Sequence, residues 1–281
     1  MIVNGRRQQQ ITIADRALQY GDGCFTTMAF RNGHLEFFSN HIERLKLACK
    51  TLHIDFENWS ELEHCIFNSL KITDDCVVKV IITRGEGGRG YSPEGAIDPS
   101  YIITHHTIPL HYASWQSEGI KITVSPIMLA CQPLLAGIKH LNRLEQVLVK
   151  QSLVKTSYDD VVVCDYQQKI IETSVGNLFW YKDNVWYTPN LSGSGVEGVM
   201  RNQVMALMQE NGLECQVVVQ DISVLYSAQE LFICNSLMSL VPVMSLFNPT
   251  NQQNQFYFTE QTKQLQHNMQ QAINIKAIND K

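Results

Sequence analysis

Apolar and polar residues alternate along this 281-residue chain in two rhythms, a short one with period two and a longer one near 3.6. Ile2-Val3-Asn4-Gly5 reads as a strand entering an Asn-Gly turn. Residues 25–30 and 34–38 flank Arg31-Asn32-Gly33, which predicts strand, turn and strand. Ser39 reads as the cap of a helix whose apolar face is Ile42, Leu45, Cys49 and Leu52. Residues 77–83 and 101–107 read as buried strands.

The pattern restarts after Trp115-Gln116-Ser117-Glu118-Gly119. Residues 120–124, 160–164, 170–172, 178–181, 185–187, 216–219, 231–234 and 241–244 predict short strands. Residues 142–154 predict a helix with Leu144, Val147, Leu148 and Leu153 inward. Residues 198–210 predict another, Ser223 reads as the cap of a short third, and the chain ends in a polar helix. The Asn/Gln-rich stretch from Asn248 to Gln255 reads as a surface loop. Hairpin-joined strands mixed with a few helices argue for an α+β fold. The expected boundary near residues 110–119 divides the chain into a smaller N-terminal domain, 1–115, and a larger C-terminal one, 116–281.

Composition narrows the function classes. Hydrophobic residues make up 44% and the formal net charge is −5, enough apolar material for sizeable cores and no basic block for nucleic acid or an anionic membrane. The first residues lack the apolar run of a signal peptide, and no run is long enough to span a bilayer. Eight cysteines without a C-x-x-C pair read as reduced thiols in a cytoplasmic protein, with no metal site.

Gly85-Glu86-Gly87-Gly88-Arg89-Gly90 matches a dinucleotide fingerprint. That mechanism needs a helix to start at its end, and Tyr91-Ser92-Pro93-Glu94-Gly95 continues a loop instead. The segment reads either as a plain flexible loop or as an active-site loop whose Arg89 binds a carboxylate.

Three further constellations carry chemistry. In Ala136-Gly137-Ile138-Lys139-His140-Leu141-Asn142 a lysine stands among apolar residues before a helix. It reads either as a snorkelling side chain or as an amine nucleophile or base. Glu172 ends a strand, followed by Thr173-Ser174-Val175-Gly176-Asn177. It reads as an exposed hairpin carboxylate or as a partner for a protonated ring nitrogen. Gly195-Val196-Glu197-Gly198-Val199-Met200-Arg201 opens a helix, ordinary or phosphate-cradling. An imine-forming lysine, a pyridine-nitrogen partner and a phosphate cradle are together what pyridoxal 5'-phosphate asks of a protein.

The set resembles the branched-chain-aminotransferase-like, fold-type IV pyridoxal-phosphate family. Its carrying segments are residues 15–27, which include Gly21-Asp22-Gly23-Cys24-Phe25, then His41-Ile42-Glu43-Arg44-Leu45, residues 84–92, residues 172–180, residues 195–201 and Cys234-Asn235-Ser236-Leu237-Met238. Residues 136–148, running from Ala136-Gly137-Ile138-Lys139 to Leu148, are similar to the aminodeoxychorismate lyase branch. There Arg143 stands where transaminase relatives often carry an aromatic or aliphatic residue. The resemblance implies two α/β domains with the cofactor between them and Lys139 as the covalent lysine and base. It implies Glu172 as the ring-nitrogen partner and Arg44 with the backbone of Val199 and Met200 as the phosphate site. Asn235 and Ser236 join that site, and Asn177 supports the cofactor face. Arg89, Tyr91 and Tyr112 are implied on the substrate side. The implied activity converts 4-amino-4-deoxychorismate to 4-aminobenzoate and pyruvate, for folate synthesis, in a homodimer. Rival expectations are a D-amino-acid or branched-chain aminotransferase on the same fold, and a catalytically silent binding protein.

Overall fold

The structure, a computed structural model, describes residues 1–279 except Ile72, Asp74, Arg89 and Ile97, with side chains described through residue 275. It divides into two compact units. The first holds Met1–Ile108 with Ile138–Arg143; the second holds Pro109–Gly137 with Leu144–Lys281. Lys139, expected in the C-terminal domain, therefore travels with the first unit.

The first unit contains β1 (Ile2–Val3), β2 (Arg6–Arg7), α1 (Arg16–Tyr20), β3 (Gly23–Arg31), β4 (His34–Leu35), α2 (Phe38–Thr51), α3 (Trp59–Asn68), β5 (Cys76–Thr83) and β6 (Ser100–His106). Its six strands form an antiparallel sheet in the order β2-β1-β6-β5-β3-β4. Alternation sorts the two faces. Cys24, Met28, Val78, Val80, Ile82, Tyr101 and Ile103 form one core with Ile42, Leu45, Cys49, Leu62 and Ile66 of α2 and α3. On the other face Thr27, Lys79 and Thr104 are cross-strand partners in one row.

The second unit contains α4 (His111–Glu118), β7 (Ile120–Val124), α5 (Leu144–Leu153), β8 (Asp160–Cys164), β9 (Ile170–Thr173), β10 (Asn177–Lys182) and β11 (Val185–Pro189). It continues with α6 (Val199–Glu210), β12 (Cys215–Val218), a 3-10 turn at Ile222–Ser227, β13 (Glu230–Asn235), β14 (Ser239–Asn248), β15 (Gln253–Phe256) and α7 (Glu260–Asn279). Its sheet runs β12-β11-β10-β13-β14-β7-β8-β9, with β15 paired to β14. In that order β9 and β10 stand five places apart, roughly 24 Å in a flat sheet. Yet only Ser174-Val175-Gly176 joins them, a reach of about 14 Å. The sheet must therefore curl, and Thr173 N–H donates to Gly176 O at 2.8 Å to close the turn. The buried Glu230 carboxylate caps α7, accepting the Gln261 and Thr262 N–H groups at 2.8 Å each and the Thr262 hydroxyl at 2.7 Å.

Several local expectations are corrected. Neither Ser39 nor Ser223 caps its helix: α2 starts after Phe37, which is left-handed at φ 55°, and the 3-10 turn starts after Asp221. The Asn/Gln-rich stretch is a hairpin, because β15 pairs with β14 through backbone groups that need no apolar side chain. The apolar face of α5 points outward. Leu144, Val147 and Leu148 are 72%, 59% and 48% exposed, whereas Val149 is buried and packs towards β8 residues Val161 and Val163.

Candidate active site

In the first unit, Ile138–Arg143 lies against β3. Phe25 N–H donates to Lys139 O at 2.9 Å, Leu141 N–H donates to Gly23 O at 3.0 Å, and Cys24 pairs with His140. The Arg143 guanidinium clamps the carbonyls either side of the lysine, His140 O at 2.7 Å and Ile138 O at 3.1 Å. Held from both edges, Lys139 puts its Nζ 4.7 Å from the centre of the Phe25 ring. Lys79 Nζ lies 4.9 Å from the same centre. Burial, then the Arg143 and Lys139 charges, pushes the neighbouring His140 down to about 4, so its imidazole is neutral at physiological pH.

Arg44 projects from α2 towards β3. One Nη donates to the Thr26 hydroxyl, and the same nitrogen lies 3.5 Å from His41 Nδ1. Its Nε is buried without a hydrogen-bond partner. Desolvation lowers its pKa to about 10, which leaves a half-buried cation at pH 7.

The glycine-rich loop is shaped by a residue the sequence reading passed over. Arg16, 3% exposed, donates to Gly90 O, Ser92 O and Tyr91 O at 3.2, 3.1 and 3.1 Å and to Asp22 at 2.9 Å. A side chain on Gly87 would collide with it, 2.6 Å from Arg16 Cδ. Arg84 completes the cluster, bonding Asp22 at 2.7 Å and the carbonyls of Leu52 and His53 at the end of α2. Tyr91 is 88% exposed, its ring edge-on to Tyr20. Arg89 lies outside the described residues.

In the second unit, the expected residues gather around the loop into α6. Glu172 is 6% exposed, and its Oε2 accepts Val196 N–H at 2.9 Å. Asn177 Nδ2 donates to Val196 O at 2.8 Å. Gly195 has φ 83°, and a Cβ there would stand 2.5 Å from Ile171 Cγ2 and 3.2 Å from Glu172 Oε2. A Cβ on Gly198 would stand 2.1 Å from Asn177 Oδ1. Gly198 is the N-cap of α6 and offers no side chain, so the N–H groups at Val199 and Met200 open towards an anion. Arg201 is turned away, donating to Pro189 O at 3.1 Å. Asn235 is engaged in its own turn. Its Oδ1 accepts Leu237 and Met238 N–H at 2.8 and 2.9 Å, and its Nδ2 donates to Val175 O at 3.0 Å. Tyr112 hydrogen-bonds Asn235, and burial raises its phenol above the ordinary value. Ser236 is half-buried beside it.

Each unit holds groups that suit pyridoxal phosphate: the first a positioned amine and a half-buried guanidinium whose Nε lacks a partner, the second an oriented carboxylate and an uncapped helix start. A family model described as amino-transferase class IV matches residues 23–246. The chain belongs to the class IV aminotransferase family. Within it, the chain is 40% identical to the aminodeoxychorismate lyase of Vibrio harveyi over 267 residues, covering 95% of this chain and 98% of that one. It is 27% identical to the D-alanine aminotransferase of Bacillus licheniformis, covering 89% of each. Among solved structures it superposes on 4-amino-4-deoxychorismate lyase from Pseudomonas aeruginosa with a TM-score of 0.89 and 31% identity, over 96% of this chain and 98% of that one. The α+β, fold-type IV architecture and pyridoxal phosphate as cofactor, both expected from the sequence, follow from this membership.

Lys79, Arg16, Thr26 and His41 escaped the sequence reading. Lys79 carries a visible signal, a lone charge inside the apolar run 77–83 at a position of opposite parity to Val78 and Val80.

Proposed function

We propose that this class IV chain is a carbon–oxygen lyase that converts 4-amino-4-deoxychorismate to 4-aminobenzoate and pyruvate for folate synthesis. The observation that carries the reading is the match over almost the whole chain to the Vibrio harveyi lyase, with Lys139 Nζ 4.7 Å and Lys79 Nζ 4.9 Å from the centre of the Phe25 ring. The substrate bears two carboxylates, and Lys79 adds a cation on the face where Lys139 works. That suits a dianion better than a small neutral side chain.

Pyridoxal phosphate, when bound, supplies an aldehyde that captures the substrate amine and a ring that accepts electrons. Lys139 Nζ takes the proton from the substrate carbon bearing that amine. Glu172, fixed by the Val196 N–H, keeps the ring nitrogen protonated. Arg44 and the N–H groups of Val199 and Met200 hold the phosphate, and Asn177 braces the loop that presents them. Lys79, Arg89, Tyr91 and Tyr112 form the substrate side, with Asn235 and Ser236 shaping the turn next to Tyr112. The enolpyruvyl oxygen leaves from the neighbouring carbon, and the aromatic ring that results makes the elimination run forward.

A homodimer in the cytoplasm fits this reading. The exposed Leu144, Val147 and Leu148 offer an apolar face for a second copy. Among the described residues no helix is long and apolar enough to cross a membrane.

The test supplies aminodeoxychorismate, made in place by its synthase, and follows 4-aminobenzoate fluorescence. Lys139→Ala is expected to lose at least about 10³-fold in turnover, the range of a general base, together with the absorbance of the lysine-linked cofactor. Fast amino-group exchange between D-alanine and 2-oxoglutarate, with no 4-aminobenzoate formed, would favour the aminotransferase reading instead.

A further inference from the structure

We propose that Thr26 and His41 are positioning residues that set the Arg44 guanidinium for the cofactor phosphate through a one-way chain of hydrogen bonds. The inference rests on the reading of Arg44 as the phosphate arginine and adds what holds it there.

The direction of the chain follows from donor arithmetic. A guanidinium only donates, so Thr26 Oγ1 must accept from Arg44 Nη2. The single hydroxyl proton of Thr26 is then left for His41 Nδ1, 2.6 Å away. Nδ1 also faces the Arg44 nitrogen, a pure donor, at 3.5 Å, so Nδ1 is the acceptor for both, and the ring carries its proton on Nε2, which is buried without a partner. Both side chains at the inner end are sealed from water: Thr26 and His41 are 0% exposed. Burial, then the charge of Arg44, keeps His41 well below the usual histidine range, so the acceptor stays available. His41 and Arg44 sit three residues apart on α2, on neighbouring positions of one face, and Thr26 meets them from β3.

The chemistry of the partners matters as much as their geometry. Both are neutral. A carboxylate at position 41 would hold Arg44 as firmly, but it would cancel the charge that a phosphate needs. The nearby Cys24 thiol, pushed far above its ordinary value by its contact with Cys49 and by burial, is neutral too. A threonine–histidine pair fixes the orientation and leaves the positive charge uncompensated. Arg44 Nε remains buried without a partner, as a donor reserved for a ligand would be.

The test compares apoenzyme binding of pyridoxal phosphate with binding of pyridoxal, which lacks the phosphate, by quenching of protein fluorescence. His41→Leu and Thr26→Val remove the acceptor and the relay. Each is expected to weaken pyridoxal phosphate by about tenfold, the loss of one hydrogen bond to a charged group, and pyridoxal by less than about twofold. His41→Asn, whose side-chain oxygen can stand where Nδ1 stands, and Thr26→Ser are expected to recover most of the difference. Equal losses for the two aldehydes, or an asparagine variant no better than the leucine one, would overturn the proposal. Thr26→Val is nearly isosteric and keeps the question open to measurement if His41→Leu does not fold. An Arg44→Met control separates the layers. If it leaves the ratio of the two affinities unchanged, the reading of Arg44 itself fails. If it abolishes the ratio while both His41→Leu and Thr26→Val keep it, only the brace fails.

Discussion

Glu172 and Asp22 are both carboxylates held by fixed donors, yet they serve different ends. Glu172 Oε2 accepts a backbone N–H, a neutral donor that orients the carboxylate without cancelling its charge. Replacing it by glutamine keeps size and one acceptor but exchanges a charged hydrogen bond for a neutral one, a difference of about 1.4 kcal/mol. Glu172→Gln is therefore expected to bind pyridoxal phosphate and to turn over roughly tenfold slower, as read by single-turnover 4-aminobenzoate formation. Asp22 is bonded by Arg84 and Arg16. Burial alone would raise its carboxyl, but the two guanidiniums outweigh burial and the net direction is down. A depressed folded-state pKa contributes stability that is fully present above the unfolded value, about 3.9, and lost as pH falls through the folded one. In Asp22→Asn that acid-sensitive component should vanish. The gap in thermal midpoint between variant and parent should then narrow as the pH drops below about 4. A gap that stays constant from neutral pH into that range would remove the linkage. The candidate cofactor residues stand out in the sequence because lysine, glutamate and glycine are conspicuous in a short motif. The braces do not. Arg16 and Thr26 act on groups far along the chain or on another element, and only His41, three residues before Arg44 on α2, has a neighbour that points to it.

Single elements translate sequence into site geometry by steric exclusion as much as by attraction. The loop from Gly195 to Gly198 turns against Glu172 and Asn177 because two positions lack a Cβ. At Gly198 the backbone is ordinary, φ −75° and ψ 140°, so conformational strain is not the reason for glycine. The reason is Asn177 Oδ1, which a methyl would overlap. Gly198→Ala is expected to push Asn177 away and shift the start of α6, at about 2 kcal/mol for overpacking. Cofactor affinity should fall roughly thirtyfold, while secondary structure by circular dichroism stays the same. Unchanged affinity would mean that the loop relaxes without moving the N–H groups. Strands such as β5, β8 and β13 were legible because alternation or a continuous apolar run specifies them directly. Helix starts were read less well. Ser39 and Ser223 have the right chemistry for caps, but tertiary contacts begin those helices elsewhere. Strand β15 carries too few apolar residues to announce itself, whereas α3 does carry a helical stripe, Trp59, Leu62, Cys65 and Ile66, that the sequence reading passed over.

For the whole molecule, the chain order hides which residues belong together. Six residues, Ile138–Arg143, leave the run of the second unit to pair with β3. No local pattern encodes such a return, because the hydrogen bonds that hold it come from a strand more than a hundred residues earlier. The next element, α5, raises the opposite problem. Its spacing puts Leu144, Val147 and Leu148 on one face, as the sequence predicts, but that face is outward. The inner side is occupied by Val149 and by Glu145, whose carboxylate accepts Ala130 N–H at 2.8 Å. An apolar stripe on the outward face suits a two-fold contact, in which the same patch serves both copies. Adding a charge at its centre should be tolerated by one chain and not by a pair. Leu148→Asp is expected to leave the thermal midpoint of dilute protein nearly unchanged and to shift sedimentation from the mass of two chains to that of one. The difference in mass should be seen at concentrations where the parent is paired and vanish on dilution, since pairing is linked to concentration. If Leu148→Asp still sediments as two chains, a second copy does not sit on α5, and the stripe must be covered in some other way.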